Sequence, residues 1–228
     1  MAESNSNVFN GWVNLYKDRG LTSNDALKIL RSKFKKNKVG HAGTLDPMAT
    51  GVLPIALGEA TKTVPYIHEK NKTYLFTIRF GEQTDTDDAT GKIIKKSNRK
   101  PDIEDIKSIL DGYHGSVEQI PPIYSAKKFN GIRSYELARR GIVPDVTKKI
   151  KTVEIDSIKL VKTDNELEYT IKVTCGTGTY IRSISKYIGD QLDLCCHVRM
   201  IERTKYGPFN LKNILSIDRL MQLNRDID

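Results

Sequence analysis

The stretch Gly40-His41-Ala42-Gly43-Thr44-Leu45-Asp46-Pro47 puts one carboxylate and one imidazole into a short run punctuated by glycine. It stands out because the commoner catalytic patterns are missing. There is no G-x-S-x-G elbow, no H-E-x-x-H zinc helix and no P-loop, and the Gly-rich run before Tyr180 lacks G-x-G-x-x-G spacing. His41, His68, His114 and His197 show no metal-ligand spacing, so no metal is expected. Read alone, Asp46 before Pro47 is a helix start, with Asp as N-cap and Pro at the first helical position. His41 reads as a turn residue.

A second concentration of functional side chains runs from Ile120 to Lys149. It holds Lys127, Lys128, Arg133, Arg139, Arg140, Lys148 and Lys149, with Tyr124, Phe129 and Tyr135 among them and only Glu136 and Asp145 opposed. Cations track phosphates, and aromatic faces stack on unpaired bases at ~1–3 kcal/mol each. The composition suits a protruding RNA clamp; a solvated excursion anchored by its Tyr and Ile is the alternative.

Elements must position these groups. The run from Thr22 to Phe34 sets Leu27, Leu30 and Phe34 on one helical face, with Thr22, Ser23 or Asn24 as N-cap. Lys28, Arg31, Lys33, Lys35, Lys36 and Lys38 read as its solvated side and exit. The Gly40–Pro47 stretch then leads into a short helical turn and a buried strand. From Lys72, alternation of Tyr74, Phe76, Ile78 and Phe80 against Thr73, Thr77 and Arg79 predicts a half-buried strand. The run Thr84 to Ile93 reads as an acidic polar turn. Ile103, Ile106, Ile109 and Leu110 predict a helix. Two strands around the turn Thr163–Asp164–Asn165 predict a hairpin burying Leu167, Tyr169, Ile171 and Val173. Ile181, Ile184 and Ile188 predict another helix, and a last one starts at a Ser216 cap. Without a regular βαβ rhythm, the fold class is α+β with a mixed, mainly antiparallel sheet flanked by helices.

The chain has 228 residues, enough for one compact domain with an inserted segment. Its 37 Lys and Arg against 28 Asp and Glu give a net charge of +9, an electrostatic footprint that favours nucleic acid as partner. The longest uncharged runs, 4–16 and 47–58, are too short or too punctuated to span a bilayer, so no membrane partner is expected. The opening residues lack a basic, apolar leader, and the 3 cysteines show no C-x-x-C spacing. A cytoplasmic location follows.

The run from Lys38 to Lys62 closely resembles the signature of the TruB family of tRNA pseudouridine synthases. The resemblance continues in the family's order from Gly11 to about Phe209. Its blocks are LTSNDAL, KTY around Tyr74, RFGEQTDTDDATG, QIPPIYSAKKFNGIRSYELARRG, GTYIRS and ERTKYGPF. It implies a single pseudouridine synthase domain over residues 1–228, with 120–149 as an RNA-clamping insertion and without the family's C-terminal PUA domain. The implied reaction isomerises uridine-55 in the T loop of tRNA, with no cofactor and no obligatory protein partner. The implied catalytic residues are Asp46, Tyr74 stacking on the base, and Arg182 as the cation beside the carboxylate. Arg182 is also a physical oddity, since the macrodipole disfavours a cation near a helix N-terminus unless an anion offsets it. That anion is Asp46 or a phosphate. By the same resemblance His41 holds the flipped T loop, Tyr180 and Ile201 line the uridine pocket, and Lys17 and Lys62 are basic contacts. Lys127, Lys128, Arg133, Arg139 and Arg140 belong to the clamp. The chain departs from the family at Leu15–Gly20, which lacks an Asp and a Pro of the usual motif, and at Glu202-Arg203, where a basic pair is usual.

Overall fold

The computed structural model describes residues 9–223; residues 1–8, on which the reading of a missing leader rests, and 224–228 lie outside that description. The described residues divide into two compact units, 9–74 with 202–223 and 75–201, the boundary falling inside the strands Lys72–Phe80 and Cys196–Tyr206.

In the first unit Gly11–Lys17 runs antiparallel to Thr50–Leu57, with Lys17 opposite Gly51 and Gly11 opposite Leu57. Two partners share the other edge of 50–57. Val39–His41 pairs antiparallel with its C-terminal half, while Glu202 and Arg203 run parallel beside Thr50 and Gly51. Gly51 makes that approach possible: it sits at φ +103°, and a Cβ there would stand 2.3 Å from the Arg203 carbonyl oxygen. The helix Ser23–Lys33 starts as its sequence predicts. Thr22 caps it by accepting the Asp25 amide, and the Asp25 carboxylate accepts the Thr22 amide in return. Its face of Ala26, Leu27 and Leu30 is buried with Leu15, Leu53 and Ile55, while Lys28, Arg31, Lys35, Lys36 and Lys38 are exposed. A short helix, Ile217–Gln222, is capped by Ser216, as expected.

The second unit is built on antiparallel strands in the order Lys72–Phe80, Glu168–Cys175, Lys151–Asn165 and Gly115–Gln119. Phe76, Ile78, Phe80, Tyr169, Ile171 and Val173 form its core with Ile106 and Leu110 of the helix Ile103–Gly112 and Ile184 and Ile188 of the helix Ile181–Leu192. The mixed, mostly antiparallel class holds, with three local corrections. The strand 72–80 buries Thr73 and Thr77 as well as its apolar face, because Thr77 Oγ1 meets Thr170 Oγ1 at 2.8 Å on the neighbouring strand. The hairpin turns at Glu166–Leu167, two residues beyond the predicted turn; Leu167 sits in the turn itself, half-buried, with its amide bound to Asn165 Oδ1 at 2.9 Å. Asp46 and Pro47 start no helix: the Ala49 amide returns to the Asp46 carbonyl at 3.0 Å, closing a single turn before the strand resumes at Thr50.

Candidate active site

The segment between His41 and Thr50 leaves one neighbour of the strand 50–57 and returns as that strand, and nearly every part of its backbone is tied down. The Ala42 amide donates to Pro54 O at 2.9 Å. Ser23 Oγ, buried in the first turn of its helix, accepts the Leu45 amide at 2.9 Å and donates to the Leu45 carbonyl at 3.2 Å. Pro47 O accepts the Gly20 amide at 2.8 Å and the Lys17 ammonium at 3.4 Å. Arg203 Nη2 donates to Gly43 O at 3.0 Å. Gly43, at φ +64°, lies so close over Tyr206 that a Cβ would come within 2.7 Å of the ring. Asp46 is thus a half-buried carboxylate on a backbone held from four directions.

Two fully buried cations do much of this holding. Lys17, expected to contact substrate or solvent, is 0% exposed. Its ammonium donates to the carbonyls of Leu21 at 2.7 Å, Asp18 at 3.0 Å and Pro47. Burial pushes its pKa down to about 8, against the pull of the Asp46 and Asp18 charges and with a further push from Arg203. Arg203 is also 0% exposed; its Nε donates to Val52 O at 2.7 Å, and its guanidinium lies 4.8 Å from the Tyr206 ring centre. Lys72 Nζ also lies over the Tyr206 ring, 4.3 Å from its centre, and burial raises the phenol of Tyr206 to about 12.

His41 ends the strand 39–41 with Nδ1 buried and unpartnered among the described residues. Burial lowers its pKa, and the charges of Arg203, His68 and Arg31 lower it further, so the ring is a neutral imidazole. That suits stacking better than pairing with a phosphate. Tyr74 is buried, and Lys62 is exposed and paired with Glu59.

In the second unit, the start of the helix 181–192 carries Tyr180, Arg182 and Ser183. The Tyr180 amide donates to Gln119 Oε1 at 2.7 Å, and Ser183 Oγ donates to Ile120 O at 2.6 Å. Arg182, 4% exposed, donates to Tyr124 O at 2.9 Å and Thr86 O at 3.2 Å, and its Nη1 lies 3.8 Å from Asp88 Oδ2. These contacts root the segment 120–149. Asp88 was missed as a buried neighbour of Arg182 because Thr84–Gly91 reads as a solvated turn. It is buried, and its Oδ1 accepts Thr86 Oγ1 at 2.9 Å, the Thr90 amide at 2.9 Å and Thr90 Oγ1 at 2.5 Å. The available signal was the threonine two residues to either side of it. Ile201 is buried.

The basic segment folds as a small hairpin, Lys128–Phe129 with Ile132–Arg133, then the helix Ser134–Arg139. Lys128, Arg133, Arg139 and Arg140 are exposed and Lys127 is half-buried. Arg133 and Arg139 lie 5.9 and 5.6 Å from the Tyr135 ring centre, and Lys149 lies 5.7 Å from that of Phe129, so both aromatics already face cations. Among the described residues no group of three or more His, Cys, Asp or Glu could hold a metal, and no helix is long and apolar enough to cross a membrane.

Comparison with known proteins agrees with the signature. Residues 31–181 match the family described as TruB family pseudouridylate synthase, N terminal domain. The tRNA pseudouridine synthase B of Ehrlichia chaffeensis is 42% identical over 214 residues, 93% of this chain and 72% of the relative. That of Staphylococcus haemolyticus is 40% identical over 224 residues, covering 95% and 73%. Among solved structures, a chain of a Cbf5-Nop10-Gar1 complex superposes with a TM-score of 0.72 at 24% identity. The overlap covers 96% of this chain and 57% of that one, so this chain spans little more than half its length. That likeness confirms the pseudouridine synthase fold. With the signature, the family match over residues 31–181 and the identity along nearly the whole chain in agreement, this protein belongs to the TruB family of pseudouridylate synthases.

Proposed function

We propose that the enzyme converts uridine-55 in the T loop of tRNA to pseudouridine, breaking the N1–C1′ bond and rejoining the base through C5, which gives up its proton while N1 takes one up. One observation carries the reading: the family signature presents a single carboxylate, Asp46, on a backbone held by Ser23, Gly20, Lys17 and Arg203. A glycosidase needs two carboxylates, one to protonate a leaving group and one to activate water. Isomerisation keeps the base in place and adds no water, so one suffices. In this proposal Asp46 attacks the sugar or base or removes a sugar proton, Arg182 offsets its charge, and Tyr74 stacks on the base. Tyr180 and Ile201 line the uridine pocket, His41 takes the flipped loop, Lys62 contacts phosphate, and the segment 120–149 clamps the T arm. Lys17 acts from beneath, on the loop backbone. Extruding the uridine costs roughly a few kcal/mol of stacking and pairing, which contacts with the ring faces of Tyr74 and His41 offset in part. The purified chain alone, without metal or cofactor, is the unit of activity.

The test is mass spectrometry of a T-arm stem-loop after cyanoethylation, since isomerisation leaves mass unchanged. The wild-type chain is expected to mark position 55, and Asp46→Asn to bind the stem-loop but mark nothing. Full turnover by Asp46→Asn would overturn the reading.

A further inference from the structure

Arg203 has a partner set unusual for a buried charge. It is completely enclosed, yet its partners are two carbonyls, Val52 O at 2.7 Å and Gly43 O at 3.0 Å, and the face of Tyr206 at 4.8 Å; among the described residues it forms no ion pair. Enclosing an ion without an opposite charge is expensive, and an apolar side chain of similar volume often serves stability as well or better. The two carbonyls lie on either side of the Asp46 loop, one before it and one after its return as a strand. Arg203 reaches both because its own backbone runs parallel beside Gly51, an approach only a glycine permits. Tyr206, three residues on, fills the space under Gly43. Arg203 also acts electrostatically on Lys17 and on His41, the flanks of the same loop.

We propose that Arg203 is a positioning residue of the reaction: its guanidinium clamps Gly43 O to Val52 O and so fixes where the loop presents His41 and Asp46. The inference rests on the reading that Asp46 carries the chemistry. A planar fork can span two carbonyls at once, whereas an ammonium holds them only as a point charge. Substrate grip is separate, because Arg203 is enclosed and touches no solvent.

The test uses the full chain, a T-arm stem-loop, and the variants Arg203→Ala, Arg203→Lys and Asp46→Asn. In Arg203→Ala, kcat is expected to fall about 100-fold while the Kd for the stem-loop moves less than about twofold, the scale set by displacing a reacting group by roughly 1 Å. Millimolar guanidinium should restore part of kcat in Arg203→Ala and none in Asp46→Asn, and Arg203→Lys should lie between wild type and Arg203→Ala. Wild-type kcat in either folded Arg203 variant overturns the proposal. So does a joint fall of kcat, affinity and melting temperature that neither lysine nor guanidinium repairs. If Arg203→Ala does not fold, Arg203→Lys decides alone. Full turnover by Asp46→Asn would overturn the functional reading rather than the role of Arg203.

Discussion

Arg182 Nη1 lies 3.8 Å from Asp88 Oδ2, and both side chains are buried. Asp88 is one anion that offsets the placement of Arg182 at a helix start, where a cation opposes the macrodipole. Asp88 arrives already oriented, its other oxygen held by Thr86 and Thr90. The pair sits at the root of the basic segment through Tyr124 O, joining the arginine to the piece of chain proposed to grip RNA.

Removing Asp88 strips one carboxylate from that enclosed guanidinium. Asp88→Ala is expected to cost about 3 kcal/mol, the usual scale for stripping one partner from a buried pair. Urea unfolding measures it. A loss no larger than that of an exposed-pair control such as Lys107→Ala would mean the arginine is neutralised elsewhere.

Lys17 makes stability depend on alkaline pH. Its pKa falls from 10.5 unfolded to about 8 folded, so between these values the unfolded chain binds more protons. Stability contributed through this group therefore rises as pH goes from about 8 to above 10, and the cost of enclosing its charge is complete below 8. The expected gain is about 3 kcal/mol across that window. Melting curves of wild type and Lys17→Met, compared over pH 7–11, should show the extra rise in wild type alone.

Gly51→Ala tests the parallel seam. The methyl group would meet the Arg203 carbonyl oxygen at 2.3 Å in a backbone conformation that L residues avoid, and a carbonyl cannot swing aside as a side chain can. The variant is expected to lose more than about 2 kcal/mol, combining positive-φ strain with backbone displacement. Gly20→Ala, also at positive φ but with open space around it, is the control and should lose less.

For the basic segment, changing Lys128, Arg139 and Arg140 to Glu should weaken stem-loop binding and flatten its salt dependence. Each lost phosphate contact lowers the slope of log K against log salt by about 0.7–0.9. An unchanged slope would place the phosphates on other side chains.

Local patterns were readable wherever a residue's environment is set by its neighbours in sequence. The Thr22 cap, the apolar faces of 23–33 and 181–192 and the strand 72–80 with its apolar face buried all formed where expected. The failures share one cause, contacts made across long stretches of chain. Asp46-Pro47 has the chemistry of a helix start, but Thr50 is claimed at once by a strand paired on both edges. Asp88 reads as solvated until Ala89 donates to Val198 O and the Val198 amide to Asp87 O. Lys17 reads as a surface cation until three carbonyls close around it. Among the residues of the signature, identity was legible and anchorage was not, because Arg203 lies 151 positions from the carbonyl it holds.

That separation has a consequence for biosynthesis. The signature emerges from the ribosome well before the strand bearing Arg203 and Tyr206, since Arg203 follows Val52 by 151 positions. Contacts so distant along the polypeptide form slowly and cannot form before both ends exist. A nascent chain therefore carries its signature loop unbraced until that strand has emerged, and competence should switch on only with its arrival.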